Sequence, residues 1–208
     1  MAFDIGKLLQ PGRVAVLLSE VQRSVIGDRA KLVALAQAAA EVGVIPNSAK
    51  LAAAARKHGG KVVHCLASTD PQRFGANTNA RLFHARRAPT GEAVTDDNSI
   101  DVPCQEVWHD GDIISLREHG LSPMADSQLD HRLRNVGVTT VIITGVSLNI
   151  AILNLAMNAV NNAYQVIIAR DAVAGIPLDY AGPVMTNTLS PIATLATTDE
   201  IIAAWESV

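Results

Sequence analysis

Cysteine and aromatic side chains are scarce in this 208-residue chain, which has two Cys, three Phe, two Trp and two Tyr. Two thiols, Cys65 and Cys104, are too few for a disulfide framework; this excludes the small stapled scaffolds and points to a reducing compartment. So few rings also exclude an aromatic platform on which bases stack. Charge of one sign is lacking as well: 17 Lys and Arg against 20 Asp and Glu leave a net charge of −3, with no general attraction to nucleic acid or anionic lipid. No apolar run approaches the roughly 18 residues of a membrane span, and the start MAFDIGKLLQPGR has no signal-peptide core. A soluble, cytoplasmic protein without nucleic-acid or membrane partners is expected. Gly145 stands alone where a phosphate-cradling glycine loop would need three glycines, and the six histidines show no zinc-type spacing. His64 falls in a strand, and His84 and His109 lie apart from it. No cofactor or metal is expected.

Alanine is abundant, at 32 residues, and apolar residues make up 49% of the chain, enough for a sizeable core of small side chains. Six β-branched runs alternate with helical periods. The strands are expected at Val14–Leu18, Lys61–Leu66, Asp112–Leu116, Thr139–Thr144, Tyr164–Ala169 and Ile192–Ala196. The first is apolar throughout, as a strand buried on both faces would be. Between the first two strands an Ala-rich helical pattern runs from Asp28 to about His58. Pro46-Asn47-Ser48 interrupts it, and Asn47 or Ser48 is the expected cap of a second helix. Further helices are expected from Ser122-Pro123 to about Gly137, from Leu148 to Asn162 and from Asp179 to Leu189. Thr197-Thr198-Asp199-Glu200 is a capping box before the last helix. This rhythm argues for a three-layer α/β/α domain over residues 1–208, with a six-stranded, mainly parallel sheet in Rossmann-like order.

The segment from about 68 to 111 breaks the rhythm, with no convincing strand. Its first half is basic (Arg73, Arg81, Arg86, Arg87) and its second acidic (Glu92, Asp96, Asp97, Asp101, Glu106, Asp110), although Asp70 stands among the arginines. A lid or subunit-contact loop is one reading, and a solvated surface excursion the other. Within it, Asn77-Thr78-Asn79-Ala80-Arg81 could hydrogen-bond a small anionic ligand, or could simply be turn chemistry.

Ligands of open parallel sheets bind beyond the carboxyl ends of the strands. Those ends carry Ser19-Glu20-Val21-Gln22-Arg23, Ala67-Ser68-Thr69-Asp70, Leu116-Arg117-Glu118-His119, Gly145 to Ala151, and Arg170-Asp171-Ala172. Glu20 follows a fully apolar strand, where desolvation favours general acid–base chemistry. A salt bridge to Arg23, Arg117 or Arg170 is the bland alternative.

VAVLLSEVQRSVIG, VIITGVSLNIAILNLAMNAVNNAYQVIIARDAVAG and TNTLSPIATLATTDEIIAAW together resemble the isochorismatase-like cysteine hydrolases over about Arg13 to Trp205. The resemblance implies an Asp after strand one, a Lys after strand three and a nucleophilic Cys opening the helix after strand four. Here those places hold Glu20, then Glu118 (or Arg117 if the loop slips by one) and Ala151. A methyl group forms no thioester. Cys65 lies inside a strand, Cys104 lies far off in the long segment, and Ser147 on the turn lacks an obvious base. The resemblance also includes isochorismatases proper, which work without the Cys by protonating an enol ether from the strand-one carboxylate.

Two readings follow. One is a hydrolase using Glu20 as general acid, with Glu118 shifting its titration and Asn77, Asn79, Arg81, Arg117, Ser147 and Asn149 binding a small substrate, anionic ligands being among the candidates. The other is a catalytically silent relative that binds a metabolite or serves as an assembly module. The resemblance further implies a dimer or tetramer, for which the helix from Ile150 to Val160 offers an apolar surface.

Overall fold

Six strands form the centre of the computed structural model, which describes residues 4–68, 74–85, 101–125 and 127–208. They are β1 (Val14–Ser19), β2 (Lys61–Ala67), β3 (Ile113–Arg117), β4 (Thr140–Val146), β5 (Gln165–Ala174) and β6 (Thr194–Ala196). The sheet order is β3-β2-β1-β4-β5-β6 and every neighbouring pair is parallel. This is the doubly wound order expected from the strand–helix alternation. All six residues of β1 are buried, which explains its unbroken apolar run.

The helices are α1 (Ile5–Leu8), α2 (Val33–Val42), α3 (Val44–Lys57), α4 (Arg81–Ala85), α5 (Leu129–Asn135), α6 (Leu153–Asn161), α7 (Ala181–Val184) and α8 (Thr198–Glu206). Val14, Val16 and Leu18 of β1 pack with α2, α3 and α8 on one face of the sheet. Ala15 and Leu17 pack with α5 and α6 on the other. Thr197 and Glu200 close the expected capping box at α8.

Several expected boundaries move. The helical pattern after β1 breaks at Gly43, whose φ of 82° ends α2, and not at Pro46-Asn47-Ser48. Pro46 lies in the first turn of α3, where no amide hydrogen is required. Asn47 caps nothing; its amide donates to the Asp171 carbonyl at 2.6 Å. The helix expected from Ser122 starts at Leu129, because Ser122 and Ser127 each accept an amide two residues ahead and hold turns instead. A π-helical turn, Leu148–Ile152, precedes α6, and β5 continues to Ala174. In that extension a step of two residues in β4 (Ile143 to Gly145) faces a step of five in β5 (Ile168 to Val173). Asp171 therefore lies within β5. Its carboxylate takes the amide and hydroxyl of Thr198 at 2.8 and 2.9 Å, tying the strand to α8.

Of the long segment, Asp70, Arg73, Arg86, Arg87, Glu92, Asp96 and Asp97 lie outside the described residues. The described parts hold α4 and an isolated antiparallel bridge between Gln22 and Pro103. Among the described residues no helix is long and apolar enough to cross a membrane.

Candidate functional site

The carboxyl ends of β1 and β4 meet at the point where the strand order reverses. Ser19 pairs with Gly145, and a Cβ on Gly145 would stand 2.0 Å from the Ser19 carbonyl oxygen. Only glycine permits that approach, and its φ of 104° asks for glycine as well. The Ser19 hydroxyl donates to the Val146 carbonyl at 3.0 Å, and the next peptide, Val146–Ser147, is cis. Immediately after Ser19 the chain turns through Glu20, at a left-handed φ of 53°, with the Glu20 amide donating to the Cys65 carbonyl at 2.9 Å.

Gln22 holds this turn in place. Fully buried, it accepts the Ala67 amide and donates to the Ala67 carbonyl, each at 2.8 Å, so its side chain extends the end of β2 as a strand would. It also donates to the Ser24 hydroxyl at 2.9 Å, which in turn donates to Asp101 at 2.7 Å. Gln22 is a positioning residue that the sequence reading missed. Its one local signal was an amide two residues beyond the candidate carboxylate.

The turn aims Glu20 across the end of β2 toward β3. There the Arg117 guanidinium donates from Nη2 to Glu20 Oε1 and from Nη1 to the Gly120 carbonyl at 3.0 Å. Side-chain exposure is 7% for Arg117 and 4% for Glu20, so this is a buried ion pair. Buried Arg117 Nε has no acceptor. Of the two candidates after strand three, Arg117 meets Glu20, while Glu118 is exposed. The salt bridge weighed for Glu20 is present, and Arg117 is its partner.

Glu20 and Arg117 line a cavity of about 90 Å³ together with Ser147, Asn149 and Ala151. Its remaining wall is apolar: Leu32 and Leu35 at the start of α2, Leu82 and Phe83 of α4, Leu121, Ile150 and Ile176. The Asn149 amide donates to the Ile176 carbonyl at 3.2 Å, which fixes the Gly175–Ile176 corner as a wall. Asn77, Asn79 and Arg81 do not line the cavity. Asn77 accepts the Gly120 amide at 2.6 Å and donates to Asn79 at 3.2 Å; Asn79 and Arg81 are exposed. Asn77 thereby buttresses the corner that also receives Arg117.

Neither cysteine lines this cavity. Burial pushes both the Cys65 and the Cys104 thiol up to about 12. A wider open groove of about 880 Å³ lies beside β3, between Arg23–Asp28 and Val102–Trp108. Its arginine and aspartate are paired with each other at 2.7 Å. His64 is fully buried on another network: its Nε2 lies 2.9 Å from Asp112, which also accepts two hydrogen bonds from Arg56, at 3.0 and 2.5 Å. Among the described residues no three His, Cys, Asp or Glu side chains gather as a metal ion would require.

A doubly wound α/β sheet with its cavity at the switch point defines the class of protein. The chain belongs to the isochorismatase family, whose domain model matches residues 14–200. Solved structures agree in fold. An isochorismatase family protein from Burkholderia thailandensis is 21% identical, with a TM-score of 0.76 over 95% of this chain and 97% of that one. A cysteine hydrolase from Pseudomonas syringae pv. phaseolicola 1448A is 19% identical, with a TM-score of 0.76 over 96% and 95%. N-carbamoylsarcosine amidase from Thermoplasma acidophilum is 21% identical, with a TM-score of 0.68 over 90% and 97%. No curated protein matches the chain.

Proposed function

We propose that this isochorismatase-family chain is a catalytically silent member that binds a small molecule, without turnover, in the cavity between Glu20, Arg117 and Ala151. The observation that carries this is the Glu20–Arg117 ion pair. A general acid must hold a proton at the reacting atom, whereas Glu20 Oε1 is already the acceptor of a guanidinium, which does not act as a base. Ala151 stands where the resemblance puts the family's cysteine, and it offers a methyl group to the same cavity. No residue described around the cavity supplies a reactive thiol.

Acid catalysis by Glu20 is the competing reading, favoured by that residue's place on the cavity wall. Product release from a panel of enol ethers and amides separates the two. The proposal expects no release above the buffer blank, by wild type or by Glu20→Gln. Release by wild type that Glu20→Gln abolishes would restore the acid. Self-association into dimers or tetramers belongs to the same proposal, supported by Met157 and Val160, 44% and 39% exposed on α6. Light scattering should give a mass of two or four chains, and a monomer at all concentrations would count against it.

A further inference from the structure

We infer that the open groove beside β3 binds small organic cations with an apolar body, such as quaternary ammonium ions. It is a site apart from the cavity at Glu20, with which it shares no lining residue. Its volume of about 880 Å³ lies within the ~300–1,000 Å³ usual for small-molecule sites. An aromatic surface is the first feature that selects the ligand. Trp108 lines the groove at 37% exposure, whereas Trp205, the other tryptophan, is buried. The indole packs against buried His64, with ring centres 5.3 Å apart, and Arg56 holds the adjoining Val107 carbonyl at 2.8 Å. The ring is therefore held in place, and its quadrupole, negative over the ring face, attracts a cation.

Charge is the second feature. Among the described residues that line the groove, two carboxylates, Asp28 and Glu106, stand against one guanidinium, Arg23. Arg23 is bonded to Asp28 at 2.7 Å, and Glu106 is exposed. The Cys104 thiol on the groove wall senses the surplus of negative charge. Burial does most to push it up to about 12, and Glu106 and Asp28 each raise it by more than Arg23 lowers it. A potential of this sign draws cations in and turns carboxylates away.

The third feature is apolar surface. Val102 and Ile114 also line the groove, and both are exposed. Alkyl groups on a ligand gain by covering these side chains. A bare metal ion makes no use of them, and a neutral hydrocarbon makes no use of Glu106. An ammonium ion that carries alkyl groups uses the ring, the charge and the apolar wall together.

The test compares choline with 3,3-dimethylbutan-1-ol, which has the same shape with carbon in place of the charged nitrogen. Each probe gives one sharp methyl signal, and its binding to the whole protein is followed by ligand-observed NMR titration at pH 7 and low ionic strength. Choline is expected to bind wild type at least about threefold more tightly than the alcohol. Trp108→Leu is expected to weaken choline about fivefold and Glu106→Gln about twofold to threefold, with the alcohol unmoved by Glu106→Gln. Equal binding of the two probes would overturn the cation class. Choline binding that neither substitution weakens would overturn the groove as its site, and no choline binding would overturn the proposal outright. Glu106 is exposed, so Glu106→Gln decides the matter should Trp108→Leu fail to fold.

Discussion

Glu20 and Arg117 reach each other from β1 and β3, with the whole of β2 between them. Both are buried, and removal of Glu20 leaves the Arg117 guanidinium without that carboxylate in the interior. Glu20→Ala is expected to lower stability by about 3–5 kcal/mol, measured by urea unfolding. The double substitution Glu20→Ala, Arg117→Leu should lose much less than the sum of the two single changes, and additivity would show that the pair is not coupled. Glu20 was legible in the sequence, because a carboxylate directly after a fully apolar strand is conspicuous. Its partner was not. The choice between Arg117 and Glu118 is a one-residue slip, and such a slip exchanges the two faces of a strand. The apolar residues of β3 mislead on this point: Ile114 and Leu116 are 42% and 47% exposed, whereas Ser115 and Arg117 are buried. Polarity alone would have turned the strand the wrong way round.

Elements were legible where the signal was local. The Thr197–Glu200 capping box lies within four residues and holds in the structure; Thr197→Ala should cost about 1 kcal/mol, read by urea unfolding. The junction of α2 and α3 was misplaced because Asn47 uses its amide on Asp171 of β5, a contact 124 residues away that no local pattern carries. A similar long-range network joins α3, β2 and the start of β3 through Arg56, His64 and Asp112. Burial pushes the His64 imidazole below its ordinary 6.5, more than Asp112 raises it. Burial alone would raise the Asp112 carboxyl, but hydrogen bonds from Arg56 and His64 outweigh it and hold that group below its ordinary 3.8. Both folded values are depressed. The His64 contribution is therefore present above pH 6.5 and declines as the pH falls below it, while the unfolded chain takes up the proton first. Asp112 adds stability above pH 3.8 that is lost on further acidification. Stability should fall by up to about 1.4 kcal/mol per pH unit just below pH 6.5, and His64→Gln should flatten that slope. An unchanged slope in the variant would remove His64 as its source.

For the whole molecule, the strand–helix alternation made the sheet and its parallel order legible, and the Gly145–Ser19 approach shows how tightly the switch point is built. Gly145→Ala should abolish folding or unfold the chain well below the wild-type melting temperature, since the added Cβ meets Ser19 backbone at 2.0 Å. The size and charge balance of the cavity were not legible, because they depend on which side chains from α2, α4, β3 and the Ile176 corner converge. The most direct measurement is one NMR time course of the protein with propionamide and ethyl vinyl ether in the same tube, which reports ligand binding and product together. The account predicts binding of the neutral probes, loss of that binding when Ala151→Leu fills the cavity, and no propionate, acetaldehyde or ethanol above the protein-free control. Product that accumulates with wild type and slows with Glu20→Gln would contradict it.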